Sequence, residues 1–191
     1  MGWLLRCSSE RGCGEWMMQK IEIDPITRLE GHGRICIFLD QLGDVADAYF
    51  QVPELRGFEK FCEGRPVEEL PRIVTRICGV CPEAHHMASA KAVDAVFHVT
   101  PTPTGKKLRE LFYSAFFATD HATHFYILAG ADFLVGPQAP AAERNVFGAI
   151  AKVGEEIGKR IIRHRMECKE VIDIIGARQV HPVCALPGGV S

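Results

Sequence analysis

The chain has 191 residues, 47% of them hydrophobic, and its 22 basic and 24 acidic side chains leave a net charge of −2. This composition predicts a packed globular protein and gives no electrostatic footprint for nucleic acid. No apolar run reaches the roughly 18 residues of a membrane span, the N-terminus lacks the pattern of a secretory leader, and eight irregularly spaced cysteines point to reduced thiols in a cytoplasmic setting.

Residues 1–18 hold Cys7, Cys13 and three glycines without periodicity and read as a disordered extension. Met17 and Met18 compete with Met1 as the true start. The remainder, 19–191, reads as one unit, mainly β over 19–65 and mainly helical over 66–191. A short strand at Lys20–Ile23 precedes two longer ones at 34–40 and 45–52, and Gln41-Leu42-Gly43-Asp44 between these is a hairpin connection. Asp24 to Gly33 is a loop rich in turn residues and ionisable groups.

Short helical turns are expected at Leu55–Gly64 and Glu68–Thr75, then an alanine-rich helix from Pro82 to His98 ended by Pro101 and Pro103. One long helix is expected from Lys106 to about Ala129, stopped by Gly130, with Leu108, Leu111, Phe112, Ala115, Phe116 and Thr119 on its buried face. Asp120, His121 and His124 interrupt that surface and read as interior or interface polar groups. A second helix is expected to run unbroken from Ala141 to Ile175, with the basic cluster Lys159, Arg160, Arg163, His164 and Arg165 as a solvated face. Residues 177–191 read as a loop. Helices of about 24 and 35 residues would extend about 36 and 52 Å, so they call for a partner of matching length, either another subunit or more of the same polypeptide.

The chemistry concentrates in Arg76-Ile-Cys78-Gly79-Val-Cys81-Pro82-Glu-Ala-His85-His86. Two residues between cysteines let both sulfurs converge on one ion, and Gly79 is expected to ease the turn between them. Pro82 suits the first turn of a helix, whose positive end favours thiolates. His85, four residues after Cys81, comes back over the sulfur. Spacing alone leaves a thioredoxin-like redox pair, a structural zinc or iron–sulfur site and another metal site open. The antiparallel hairpin upstream does not fit the first, and the lack of a second CxxC does not fit the second.

Four ordered blocks go further. Asp24-Pro25-Ile26-Thr27-Arg28-Leu29-Glu30-Gly31-His32, Arg56-Gly57-Phe58-Glu59, the Arg76 to His85 stretch, and His181-Pro182 through Pro187-Gly188-Gly189-Val190-Ser191 resemble the N-terminal part of the large, catalytic subunit of [NiFe]-hydrogenases. The resemblance runs from about residue 19 to the end and is greatest to the soluble methyl-viologen-reducing, heterodisulfide-reductase-associated group.

The resemblance implies an α+β, mostly α fold, with a small antiparallel sheet followed by long packed helices. It implies a nickel–iron centre bearing cyanide and carbon monoxide, with Cys78 as a terminal nickel ligand and Cys81 as a bridging one. Soft thiolates suit such a metal. Glu30 would accept the proton released from H2, Glu59 would bind Mg2+ through hard oxygen, and Arg76, His85 and His32 would surround the ligands. Cys36, Cys62, Cys168 and Cys184 read as small apolar fillers and His86 as a packing residue. Implied partners are an iron–sulfur small subunit carrying its own clusters, and electron-transfer subunits of heterodisulfide-reductase or diaphorase type.

The family closes its ligand set with a second motif, Asp-Pro-Cys-x-x-Cys, which this sequence does not contain. The expectation is therefore a partial large subunit that is inactive by itself. The alternatives are a non-catalytic scaffold related to the quinone-reductase subunit of the same fold, or a structural metal-binding module.

Overall fold

The structure is a computed structural model that describes residues 19–191; the extension expected over 1–18 lies outside them. The chain divides into two compact units, one ending at Glu54 and the other running from Leu55 to Ser191.

The first unit is a three-stranded antiparallel sheet in the order β1 (Gln19–Ile23), β2 (Arg34–Leu39), β3 (Val45–Gln51). Ile35, Ile37 and Phe38 on the central β2 are half-buried and Cys36 is buried, whereas every residue of β1 and β3 is exposed. This is what a sheet with one inner strand and two short edges produces. The β1–β2 loop is held by the Ile26 amide donating to the Gly33 carbonyl (3.0 Å) and by an Arg34–Asp24 ion pair (2.7 Å).

The second unit is helical. After α1 (Phe58–Cys62), α2 (Leu70–Ile73) is flanked by 3-10 turns at Val67–Glu69 and Val74–Ile77. Then come α3 (Pro82–Val96), α4 (Pro103–Thr123), a π-helical stretch at His124–Ala129, and α5 (Gly130–Leu134). They are followed by α6 (Val146–Val153) and α7 (Glu155–Gly176). Local chemistry explains several starts. The Thr102 hydroxyl accepts the Gly105 amide with Pro103 at the first position of α4, and Asn145 caps α6 by accepting from Phe147 and Gly148. Two glutamates, Glu155 and Glu156, sit at the positive end of α7.

Three expectations need correction. The helix expected to stop at Gly130 begins earlier, at Pro103, and passes through Gly130 by widening to π geometry over His124–Ala129. The unbroken helix expected over 141–175 is instead α6 and α7. Gly154 stands between them at φ +86°, a left-handed conformation that glycine adopts without a Cβ clash and that ends helical hydrogen bonding. The expected terminal loop contains a small hairpin, β4 (Ala185–Leu186) with β5 (Gly189–Val190), and includes the fully buried Cys184. Among the polar residues of α4, the exposed His121 returns Nδ1 to the Phe117 carbonyl and stacks on the Phe117 ring.

The core joins α3 (Met87, Ala90), α4 (Phe112, Phe116), α7 (Ile172) and the hairpin segment (Cys184, Ala185). Phe112 and Ile172 are wholly buried, and each such side chain contributes about 1.5–3 kcal/mol relative to exposure. A buried ion pair seals one edge. Arg109 grips both oxygens of Asp94 (2.5 and 3.3 Å) and donates to the Leu186 and Gly189 carbonyls, while Asp94 accepts the Gly188 amide. Burial pushes the Asp94 carboxyl up, but the Arg109 guanidinium and the Gly188 amide outweigh it, so it stays below its ordinary value.

The close approach of α7 to the hairpin segment is testable. A Cβ on Gly176 would fall 2.4 Å from the Pro182 Cβ and 3.1 Å from a Phe112 ring carbon. Gly176→Ala should lower stability by about 1–3 kcal/mol in urea denaturation. Gly158→Ala, whose Cβ would meet only Ile150 at 3.9 Å, should raise it by up to about 1 kcal/mol.

Candidate metal centre

The short helical turns from Val67 to Ile77 bring the chain to Cys78 in extended conformation, and Cys81 then occupies the cap position of α3 with Pro82 first inside. The Cys78 sulfur accepts two backbone amides, from Val80 (3.3 Å) and Cys81 (3.2 Å). Both amides lie at the start of a fifteen-residue helix and fix the position of that sulfur. One turn on, His85 completes a half-buried group in which the Cys78 sulfur, the Cys81 sulfur and a ring nitrogen all lie within 4.8 Å of one another. Gly79, expected to be needed for the turn, is not left-handed, and a Cβ there would meet nothing within 4 Å. The turn does not require glycine.

Contacts made by His86, His181 and the Glu83–Lys169 pair hold this mouth in place. His86 is wholly buried; its Nδ1 bonds the Pro71 carbonyl (2.8 Å), and its Nε2 accepts the amides of Cys184 (3.1 Å) and Ala185 (2.9 Å). Those partners require a neutral ring with the proton on Nδ1. Burial, with the nearby Arg109 charge adding to it, pushes the His86 pKa down despite the Pro71 carbonyl. His181 bonds the Thr75 carbonyl through Nδ1 (2.7 Å), tying the 3-10 turn before Cys78 to the same distant segment. Glu83, wholly buried two residues after Cys81, is paired by Lys169 of α7 (2.8 Å), which also donates to the Gln179 carbonyl (3.1 Å). Burial drives the Cys184 thiol up to about 11, so it stays protonated, consistent with an apolar filler.

The remaining expected residues lie elsewhere. Arg76 is exposed on the 3-10 turn preceding Cys78. Glu59 is exposed on α1, hydrogen-bonded to Arg56 (2.7 Å), and that guanidinium lowers its pKa. Glu30 and His32 belong to the first unit, in the β1–β2 loop; His32 pairs with Glu54, whose pKa it lowers. Sequence reasoning missed the supports Glu83, Lys169 and His181. The signal for Glu83 was present, since an acid at the second position of an apolar helix start needs either solvent or a cation, but nothing local points to Lys169, 86 residues away.

Two thiolates and an imidazole suit a late transition metal and not Mg2+ or Ca2+. Comparison with known proteins agrees. Residues 56–171 match the nickel-dependent hydrogenase family, and residues 20–55 match a HoxL-like group. The chain is 52% identical over 174 residues to an iron-sulfur subunit of the F420-non-reducing hydrogenase of Archaeoglobus profundus, covering 91% of this chain and 36% of that one. It is 39% identical to NAD-reducing hydrogenase HoxS subunit beta of Cupriavidus necator, covering 92% and 37%. It superposes on a crystal structure of an NAD+-reducing [NiFe]-hydrogenase in the H2-reduced state with a TM-score of 0.75 at 41% identity, covering 90% of this chain and 38% of that one. The chain thus spans about two fifths of the length of these relatives.

The His86 contacts predict a pH dependence. The folded ring titrates below its unfolded value near 6.5, so the unfolded chain binds the extra proton first. The stability His86 contributes is complete above pH 6.5 and is lost as pH falls through and below that value. Urea midpoints should fall between pH 7.5 and pH 5, and His86→Gln should be less stable at pH 7.5 and show a shallower fall. An equal fall in the variant would exclude His86 as the source.

Proposed function

Because this chain belongs to the nickel-dependent hydrogenase family, we propose that it forms part of the catalytic large subunit of a nickel–iron hydrogenase, whose reaction is the reversible heterolytic oxidation of H2 to protons and electrons. The observation that carries this reading is the Cys78, Cys81 and His85 group at the start of α3, within the stretch that matches the family. Cys78 and Cys81 would hold the nickel–iron group through their sulfurs. When bound, that group supplies the site at which H2 is polarised and split.

The chain's own residues then have separate tasks. The amides of Val80 and Cys81 orient the Cys78 sulfur at the mouth of α3. His86, His181 and the Glu83–Lys169 pair keep the turn from shifting, which matters because a reacting centre tolerates little misplacement. The Glu30 carboxylate takes up the released proton, a role suited to a carboxylate carried on a loop pinned at both ends. Glu59, paired here with Arg56, would offer carboxylate oxygen to Mg2+, a hard ion that prefers such a ligand. Two further thiolates would come from an Asp-Pro-Cys-x-x-Cys motif, which these 191 residues do not contain, and residues 1–191 by themselves are expected to be inactive.

Electrons leave through an iron–sulfur small subunit to partners of heterodisulfide-reductase or diaphorase type, a reading supported by the F420-non-reducing and NAD-reducing names of the relatives. No helix among the described residues is long and apolar enough to cross a membrane; with the cysteine usage this supports a cytoplasmic setting. A scaffold role is disfavoured by the paired thiols.

Co-production with the complementing polypeptide and the small subunit should give one nickel and one iron per complex and H2-dependent dye reduction. Cys78→Ser or Cys81→Ser should abolish both metal and turnover. Glu30→Gln should keep the metals and lose about 10²–10⁴-fold in rate. Full activity in Glu30→Gln would remove the proton role, and turnover by this chain alone would refute the need for a complement.

A further inference from the structure

We propose that the cavity between the π-helical stretch, α6 and α7 binds a medium-chain carboxylic acid, with its alkyl chain against the aliphatic walls and its carboxylate on Arg165. This goes beyond the hydrogenase reading and does not require it.

The cavity holds about 360 Å3, within the range of small-molecule sites, which combine apolar walls with a few polar groups. Ile127 of the π-helical stretch, Leu134 of α5, Val146, Ile150 and Val153 of α6, and Ile161 of α7 line it. The charged side chains among its lining residues are Glu155, Lys159 and Arg165. Lys159 is paired with Glu155, one turn earlier on α7 (2.7 Å), so those two charges offset each other. Arg165 is left as the unmatched cation of the lining, and its Nε is buried with no hydrogen-bond partner among the described residues. A buried donor without a partner is destabilising, and more so when it is charged. An ionised carboxylate removes that cost, because it accepts charge-assisted hydrogen bonds from a guanidinium.

The walls favour an alkyl chain over a stretch of polypeptide. They are the sides of helices, whose amides and carbonyls are spent inside each helix, and a polypeptide segment would bring backbone groups that such walls cannot satisfy. A hydrocarbon chain brings none and gains from each methylene taken out of water. Ile150 and Ile162, 42% and 59% exposed, leave the cavity open to solvent, which gives a ligand its way in. Gly158 belongs to the α7 wall, and a Cβ there would meet only Ile150, at 3.9 Å. The space beside that glycine is therefore free for a ligand.

The test titrates the full 191-residue chain with octanoate by calorimetry, with octanol and octyltrimethylammonium as probes of the same chain length. The expected result is saturable binding of one octanoate per chain, octanol weaker by about 10–100-fold, and no binding of the cationic probe. Affinity should rise about fourfold per methylene from hexanoate to decanoate. Arg165→Met should weaken octanoate binding by about 10–100-fold and leave octanol unchanged. Gly158→Leu, whose side chain would occupy the cavity, should remove binding of both probes with an unchanged far-ultraviolet spectrum. Absence of octanoate binding would overturn the proposal, as would octanol binding as tightly as octanoate, or unaltered octanoate affinity in either variant. Should Arg165→Met not fold, the comparison of octanoate with octanol on the unaltered chain decides the role of the charge. The readout is independent of H2 turnover, so either reading can fail while the other stands.

Discussion

The buried imidazole of His86 is the contact on which the second unit depends. One ring joins three stretches that have no local reason to meet: the carbonyl of Pro71 in the first turn of α2, the CxxC helix that carries it, and the amides of Cys184 and Ala185. Stranding those two amides in a dry core would cost about 1–3 kcal/mol each, so the ring is fixed in tautomer and orientation. Cys81 and His85 take their positions from the start of helix α3, and His86 registers α3 against its surroundings.

A division of tasks follows around that mouth. His86 and His181 are spent on backbone carbonyls and amides, Glu83 on Lys169, and Asp94 on Arg109. The two cysteines and His85 supply the converging donors. The Glu83 pair illustrates why the supports are ionic: a carboxylate with no exposure would carry a penalty of several kcal/mol if its cation were removed. Fixed polar supports in a low-dielectric setting hold geometry without motion at the moment of reaction.

Much of this was legible in the residues. Alternation and a Gly-containing connection gave the β2–β3 hairpin, and Cys-x-x-Cys-Pro gave the start of α3, because both signals are local. The long helices were misjudged for a physical reason. Gly130 and Gly154 look alike in sequence, yet Gly130 lies inside a helix that widened to π geometry and Gly154 adopts φ +86° and breaks one. Propensity cannot separate these, since the choice rests on what packs beside each. The C-terminal stretch was read as a loop because Pro182, Pro187 and two glycines suggest one, whereas its burial comes from distant partners: Arg109, His86 and Thr75. Of the residues assigned by resemblance, Cys78, Cys81 and His85 converge in one unit, while Glu30 and His32 lie in the other.

The supports are also separated in time. His86 and Cys184 are 98 residues apart, His181 and Thr75 are 106 apart, and Lys169 and Glu83 are 86 apart. At ribosomal rates of about 5–20 residues per second, the two thiols are made about 5–20 s before the segment that locks them exists. Until then the CxxC turn is a short local structure with little to hold it. A chaperone or metal-delivery protein that acts on the growing chain would therefore meet Cys78 and Cys81 on a pliable turn, and the later arrival of residues 181–190 would convert that turn into a rigid one around whatever had been placed there.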